Sequence, residues 1–312
     1  MGIRLSIVVP CYNEEAVLPE TARRLRLLLD RIYASGLITG DSAVYFVDDG
    51  SRDATWTTIT TLNGQDPRLR GIKLSRNQGH QAALLAGLLT VEGDAVVSID
   101  ADLQDDISVI EAMVKEHVAG AEVVYGVRDS RATDTAFKRR TALLYYQLMR
   151  RFGVELVHNH ADFRLLSRRA VEALRQYGEV NIFLRGIIPM IGYRAATVKY
   201  DRAERFAGVS KYPLRKMLAF ALEGVTSLSV VPLRIITLLG FLVSMFSFFM
   251  IIFVLYGTLV VKAVIPGWAS SVVPIYFLGG IQLLAIGILG EYIGKIYLES
   301  KARPRFFIES TL

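Results

Sequence analysis

The sequence predicts an α/β domain with a doubly wound, mostly parallel sheet, followed by a membrane-associated last third. Three observations carry this. Over the first two hundred residues, short β-branched apolar runs alternate with stretches of helical spacing, the pattern of strand–helix–strand units. Several of these runs stop abruptly at polar or acidic residues, as strands do at the binding edge of such a sheet. The apolar content of 52% and mean hydropathy of +0.35 are local surpluses, concentrated after Pro232.

Taken in order, Ile3 to Pro10 is a buried strand that turns through Cys11-Tyr12-Asn13-Glu14-Glu15. Ala16 to Ile32 is a helix, with Val17, Leu18, Leu25, Leu28, Leu29 and Ile32 on one face. Ala43 to Val47 is a second strand closed by Asp48-Asp49-Gly50-Ser51, and Ser51 or Asp53 caps the helix through Trp56 and Ile59. Leu69 to Leu74 is a third strand, Ser75 to His80 a turn, and Gln81 to Leu89 a helix. Ala95 to Ile99 is the central strand, Ile107 to Val118 a helix and Val123 to Gly126 another strand. Beyond Arg128 the pattern is less regular. A helix over Thr141 to Arg151 lies in a basic stretch that reads either as a solvated face or as an anion- or lipid-facing surface. A strand near Asp162, a helix over Ala170 to Leu174 and a late strand over Gly192 to Tyr200 complete the domain.

The last third changes character. Pro213 to Val231 spaces Leu214, Met217, Leu218, Ala221 and Leu222 as an amphipathic helix. It lies on a membrane surface or packs on the domain. Leu233 to Val261 and Val272 to Ile293 are each long enough to span a bilayer, which takes ~20 residues. Basic residues flank the pair on the outside (Arg215, Lys216 and Arg234 before; Lys295, Lys301, Arg303 and Arg305 after), with only Lys262 between them. The positive-inside rule then places both ends in the cytoplasm. The expected organisation is a catalytic domain at 1–205, juxtamembrane helices at 206–232, a two-helix hairpin at 233–297 and a cytoplasmic tail at 298–312.

Net charge is +6. No zinc-ligand cluster or aromatic–basic repeat supports nucleic-acid binding, so the membrane is the expected partner for that charge. The single cysteine, Cys11, excludes an internal disulfide and fits a reducing compartment. The N-terminus enters a strand pattern at once, so no signal peptide is expected.

The central strand ends in Asp100-Ala101-Asp102-Leu103-Gln104-Asp105. Asp100 and Asp102 put two hard oxygen donors at a binding edge, which suits Mg²⁺ or Mn²⁺ bridging to a nucleotide diphosphate. The competing reading is a solvated acidic loop. Likewise Asp48 and Asp49 read either as ligand-facing carboxylates or as a capped turn.

Six motifs in this order, ahead of the apolar helices, resemble the polyprenyl-phosphate glycosyltransferases of glycosyltransferase family 2. They are Pro10-Cys11-Tyr12-Asn13-Glu14, Val47-Asp48-Asp49-Gly50-Ser51, Ser75-Arg76-Asn77-Gln78-Gly79, Asp100 to Asp105, Ala161-Asp162-Phe163-Arg164-Leu165-Leu166 and Ser210-Lys211-Tyr212. The resemblance covers nearly the whole chain, and the tail is most similar to the bactoprenol branch. It implies a GT-A fold and inverting transfer of a sugar to polyprenyl phosphate on the cytoplasmic face of the inner membrane. It implies that Pro10, Tyr12, Asn13, Glu14, Asp49, Asn77, Gly79, Asp100 and Ala101 hold the nucleotide sugar, and that Asp100 and Asp102 hold Mg²⁺ or Mn²⁺. Asp102, Gln104, Asp162 and Lys211 serve catalysis, and Arg128 and Arg139 take the acceptor phosphate. Asp162 is the candidate base by position. A phosphate monoester with a second pKa of about 6 is already mostly dianionic at neutral pH, so a base is not required and Asp162 can instead orient groups. UDP-glucose is the expected donor; UDP-N-acetylglucosamine, UDP-galactose, a UDP-aminoarabinose derivative and GDP-mannose are alternatives.

A processive polysaccharide synthase usually carries Gln-x-x-Arg-Trp and more spans, and Trp56 and Trp268 are in other contexts. A membrane-tethered nucleotide-sugar sensor would not need the intact Asp102, Asp162 and Lys211. Glycines 279, 280, 287, 290 and 294 permit close helix packing, so a homo-oligomer, as in tetrameric relatives, is expected.

Overall fold

The computed structural model describes residues 2–128, 160–180, 183–200, 231–256 and 267–312. Arg139, Lys211, the helix expected at 141–151 and the amphipathic helix expected at 213–231 lie outside these residues. Strands β1 (Leu5–Cys11), β2 (Ala43–Asp48), β3 (Leu69–Leu74) and β4 (Ala95–Ser98) alternate with helices α1 (Leu18–Ala34), α2 (Thr55–Gln65) and α3 (His80–Thr90). Then come α4 (Val109–Val118), β5 (Val123–Arg128), β6 (His160–Ser167), α5 (Arg168–Arg175), α6 (Leu184–Met190) and β7 (Ala195–Tyr200). Two long helices follow, α7 (Val231–Tyr256) and α8 (Trp268–Ser300), and β8 (Ile308–Thr311) ends the chain.

β1 and β2 are buried at every position, which is why they read as continuous apolar runs rather than alternations. α1 buries Leu18, Ala22, Leu25, Leu29 and Ile32, a stripe at three- and four-residue spacing. One core layer joins this stripe and Ile110 and Met113 of α4 to Phe46 and Val97 of the sheet. The other sets Leu84 and Leu88 of α3, Val171 of α5 and Ile187 of α6 against Val8 and Val47. The result is a sheet with helices on both faces.

The strand order is β7-β5-β6-β4-β1-β2-β3-β8. β1 runs parallel to β2 and β4, β2 parallel to β3, and β5 parallel to β7. The mostly parallel sheet is correct for this core, with two exceptions. β6 is antiparallel to both of its neighbours, and β8 is antiparallel to β3. Apolar periodicity identifies a strand but says nothing of its direction. Chain order reverses between β1 and β4, and that switch point is where ligands of open α/β sheets bind.

The helices after residue 230 carry large exposed apolar side chains, among them Phe241, Phe246, Phe249, Phe253, Leu283 and Ile286. Within α8, Phe277–Ser300 is long and apolar enough to cross a membrane; the corresponding apolar stretch in α7 is the shorter Val231–Val243. The tail does not simply trail from α8. Both carboxylate oxygens of Glu299 accept from the Val180 amide at 2.9 and 2.8 Å, and Arg305 donates to the Tyr177 carbonyl. Ser75 donates to the Phe307 carbonyl at 3.0 Å, and Leu312 to that of Gly71 at 2.8 Å. The last strand of the domain's sheet therefore comes from the far side of the apolar helices.

Candidate active site

Three loops at the carboxyl ends of β1, β2 and β3 are knitted into one floor. Asn13 and Glu14 amides donate to the hydroxyls of Ser51 (3.0 Å) and Thr55 (2.9 Å), and Arg52 returns a bond to Asn13 Oδ1 at 2.9 Å. Asp49 accepts from the amides of Gln78 (2.7 Å) and Gly79 (2.9 Å), so both of its oxygens hold the β3–α3 loop. Gly50 makes this approach possible. Its φ is +63°, and an added Cβ would lie 2.6 Å from the backbone of Arg76 and Asn77. Gly87 acts similarly for α3: a Cβ there would come within 2.3 Å of Val8. The close approach seats α3 on the sheet, with His80 at its first position.

Of the expected nucleotide residues, Asn13, Glu14, Asp49, Asn77 and Gly79 are brought together in this floor, with Pro10 at the end of β1 and Tyr12 exposed above it. Within this set, the Gly79 amide donates to both Asp49 and Asn77. Asp49 is neither a simple cap nor an open carboxylate; burial raises its pKa, while the two amide bonds oppose the shift. Its neighbour Asp48 accepts from the Ser51 amide at 3.0 Å, and its other oxygen, buried, has no hydrogen-bond partner among the described residues.

The acidic loop follows β4. Asp102 accepts from the Gln104 amide at 3.2 Å, Ala101 is buried, and its carbonyl takes the Thr21 hydroxyl of α1 at 2.9 Å. Leu103, also buried, has φ +57°, a conformation a bulky residue rarely adopts. Strain of this kind, of order 1–3 kcal/mol, persists where the surroundings impose it and clusters at functional sites. Asp105 is fixed by the Tyr200 hydroxyl at 2.5 Å.

The antiparallel entry of β6 is what completes the site. Ser98 of β4 is in register with Arg164. Continuing that register two residues past β4 sets Asp100 beside Asp162. Asp162 and Arg164, two apart on one strand, share a face and form a buried ion pair. Arg185 at the start of α6 adds Nη2 at 3.0 Å, and His80 Nε2 lies 3.4 Å from Asp162 and 3.6 Å from Asp100. Gln81 joins them, donating to Asp162 at 3.4 Å and accepting from the Leu184 amide at 3.2 Å.

The charges sort themselves accordingly. Burial pushes the Asp100 carboxyl up to about 6, with His80 opposing and Asp162, Asp105 and Asp102 adding to the rise. Burial also raises Asp162, but Arg185, the His80 hydrogen bond and Arg164 outweigh it and hold this carboxyl well below the usual range. His80 is raised, since the pull of Asp162 and Asp100 exceeds the effect of burial. Asp162 is thus an ionised anchor rather than a poised proton acceptor. Asp100 and Asp102 supply two hard donors, the small protein contribution expected when substrate phosphates and water complete the shell of Mg²⁺ or Mn²⁺. Among the described residues, no set of three or more His, Cys, Asp or Glu side chains is arranged to hold an ion without such a substrate.

Arg128 closes β5 in register with Tyr200, at the same sheet edge. The residues missed by sequence reasoning are His80, Gln81, Arg164 and Arg185. Arg164 sits inside a quoted motif, and its two-residue offset from Asp162 was the available signal; Arg185 offered none. A surface cavity between α1 and α2, lined by Ala22, Arg26, Thr58 and Leu62, contains none of these groups.

Residues 6–175 match the description "Glycosyl transferase family 2". The chain is 52% identical to the glycosyltransferase YkoT of Bacillus subtilis (strain 168), covering 99% of this chain and 92% of that one. It is 41% identical to the bactoprenol glucosyl transferase of Shigella phage SfX, covering 99% of each. A solved mycobacterial protein shares the fold at a TM-score of 0.52 and 18% identity, over 73% of this chain and 74% of that one. With motifs, sheet topology and full-length likeness in agreement, the chain belongs to glycosyl transferase family 2.

Proposed function

We propose that this protein transfers a sugar, glucose from UDP-glucose, to polyprenyl phosphate at the cytoplasmic face of the inner membrane, with inversion. The observation that carries the reading is the junction of two parts in one fold. An acidic cluster at the switch point, with Asp105 and Asp162 buried and Asp100 and Asp102 half-buried, belongs to a sheet stitched through Glu299, Arg305 and β8 to the end of a helix of membrane-spanning length. The full-length likeness to bactoprenol glucosyl transferases supports the acceptor class and the sugar.

In this reading the floor of Pro10, Tyr12, Asn13, Glu14, Asp49, Asn77 and Gly79 receives the nucleoside, and Asp100, Ala101 and Asp102 lie under the diphosphate. Mg²⁺ or Mn²⁺ held by Asp100 and Asp102 would supply positive charge to the leaving nucleotide. Gln104 reaches the sugar or the acceptor phosphate; Arg128, Arg139 and Lys211 draw in the acceptor. A phosphate oxygen of the lipid forms the new bond to the anomeric carbon as the bond to the nucleotide diphosphate breaks, so an α-linked donor yields a β-linked product. The nucleophile is already anionic, and Asp162, ionised and paired, orients the crevice instead of taking a proton.

The tail also supports the hairpin topology. β8 belongs to the domain's sheet, so the chain leaves the domain and returns to it. If Phe277–Ser300 crosses the bilayer, the chain needs a second crossing before it; we assign that crossing to α7, with both termini on the cytoplasmic side. The exposed phenylalanines of α7 face lipid or a second copy in a homo-oligomer. The test is turnover by purified protein with undecaprenyl phosphate, Mg²⁺ or Mn²⁺ and a panel of labelled UDP- and GDP-sugars. Label in the lipid phase with UDP-glucose supports the proposal; labelled polymer, or no lipid product from any donor, refutes it. Cys11 is buried, so an Ala269→Cys variant reports topology cleanly, and labelling from the cytosolic side would overturn the hairpin.

A further inference from the structure

The loop between β4 and α4, which carries Asp100 and Asp102, is strained at one point and pinned on either side of it. Leu103 has φ +57° and is only 6% exposed. A bulky side chain keeps that left-handed conformation only where its surroundings impose it. Two hydroxyls from distant parts of the chain grip the loop there. Thr21 of α1 donates to the Ala101 carbonyl at 2.9 Å, two residues before Leu103. Tyr200 at the end of β7 donates to Asp105 Oδ1 at 2.5 Å, two residues after it. Asp102 lies between the two pins, and its own Oδ1 accepts from the Gln104 amide at 3.2 Å.

The Tyr200 pin is the firmer of the two in its setting. Tyr200 and Asp105 are each 4% exposed, and a hydrogen bond removed from water is electrostatically stronger than one in it. β7 is held in register on β5, with Tyr200 beside Arg128. The Tyr200 ring meets the fully buried Phe163 edge to face, with centroids 5.4 Å apart. The sheet and the core therefore fix where the hydroxyl stands, and the loop conforms to it. A hard cation such as Mg²⁺ tolerates little departure from ideal ligand placement, so a loop that shifts presents its carboxylates less well. We propose that Tyr200 is a positioning residue. Through Asp105 it holds the acidic loop in the shape that presents Asp100 and Asp102 to a divalent cation, and so sets the affinity for that cation together with a nucleoside diphosphate. The inference rests on the proposed function for the identity of the cation and the diphosphate. It does not require Tyr200 to be the sole partner of Asp105, only that the hydroxyl ties the loop to β7.

The test uses the full-length protein in nanodiscs with Tyr200→Phe, which removes the hydroxyl and keeps the ring against Phe163. Binding of Mn²⁺ in the presence of UDP is followed by electron paramagnetic resonance, without turnover. The expected result is a fall of about tenfold in Mn²⁺ affinity, the lower end of what losing an outer-shell partner costs. Hydrogen exchange in the segment over residues 99–106 should be faster in the metal-free protein, since a local opening there is no longer opposed by the bond. Asp105→Ala should give both changes, and adding Tyr200→Phe to it should deepen neither, because the two act through one bond. A Mn²⁺ affinity within about twofold of wild type in Tyr200→Phe would overturn the proposal; a lowered thermal midpoint beside it would mark a residue that only stabilises the fold. Losses that add in full in the double variant would also overturn it, since Tyr200 then acts by another route. If Asp105→Ala does not fold, Tyr200→Phe alone decides. Should wild type bind no Mn²⁺ with UDP, the metal reading fails and exchange decides the pin: faster exchange in Tyr200→Phe upholds it, and unchanged exchange overturns it.

Discussion

Replacing Asp162 with Asn separates an anchor from a base. In the folded protein Asp162 is buried and pairs with the fully enclosed Arg164. Asn keeps the shape and removes the charge, leaving a guanidinium in the core with no counter-ion. Breaking a buried pair from one side costs about 3–5 kcal/mol. For a domain of this size that is a fall of roughly 6–20 °C in thermal midpoint, at about 2–4 °C per kcal/mol. A general base whose only task is proton transfer predicts otherwise: a rate loss of about 10²–10⁴-fold with the midpoint nearly unmoved. The assay is tryptophan fluorescence on heating at a fixed scan rate, beside initial rates. A second variant guards the inference. Asp162→Asn with Arg164→Met removes the stranded charge, and part of the lost stability should return, a coupling of about 0.5–3 kcal/mol between contacting groups. The pH dependence carries the same sign. The folded-state pKa of Asp162 is depressed, so its contribution is fully present above the unfolded value of about 3.9. It is lost as pH falls from there toward the folded value, and Asp162→Asn should lack this acid-side loss. A midpoint within about 2 °C of wild type, together with a large rate loss, would refute the anchor.

The remaining predictions follow from the floor, the acidic loop and the tail. Asp100 has its pKa raised to about 6, so its folded form holds a proton that the unfolded chain releases above about 3.9. The metal-free protein should therefore lose stability as pH rises through this interval. Mn²⁺ should restore it at neutral pH in wild type but not in Asp100→Asn, as read from thermal midpoints with EDTA or Mn²⁺. Gly50→Ala sets a Cβ 2.6 Å from the Arg76–Asn77 backbone at φ +63°, which should cost about 1–2 kcal/mol from the left-handed conformation alone and weaken UDP in titration calorimetry; unchanged affinity would separate that loop from the nucleotide. Deleting residues 308–312 strips the edge of β3 and should lower the midpoint by a few degrees and promote association on a sizing column, since bare edges pair with other chains; a monodisperse, equally stable truncation would contradict the docked strand.

The sequence displayed the parallel core plainly because β1, β2 and β4 are buried on both faces and mostly apolar, with Ser6, Asp48 and Ser98 the exceptions. It displayed Asp100 and Asp102 because an apolar run ending in carboxylates is abrupt. It did not display β6 as antiparallel, since alternation carries no direction, and that orientation is what brings Asp162 beside Asp100. Arg185 was illegible for the same kind of reason: it meets Asp162 only through tertiary packing of α6 on the sheet, twenty-three residues along the chain. β8 was hidden by its length and composition. Ile308-Glu309-Ser310-Thr311 is a four-residue strand with a weak pattern, and it exists because β3 offers an unpaired edge.

The two hidden features bear on one physical problem. Asp162 and Arg164 are costly to bury, and such a pair is no net gain in stability over apolar side chains of similar volume. What it provides here is placement: one carboxylate orients Arg185 and His80 before a substrate arrives, so neither group must be ordered during binding. Placement within the crevice is useful only if the crevice is also held at a defined position relative to the membrane. Glu299 grips Val180, Arg305 grips Tyr177, and both partners lie a few residues before Arg185. Phe307 grips Ser75, at the head of the loop that Asp49 holds. The end of α8 and the segment after it are therefore tied to Tyr177 and Val180 on one side and to Ser75, at the head of the loop that Asp49 holds, on the other. A lipid phosphate confined to the membrane surface can reach only groups held at a fixed height, and these ties are what would hold them there.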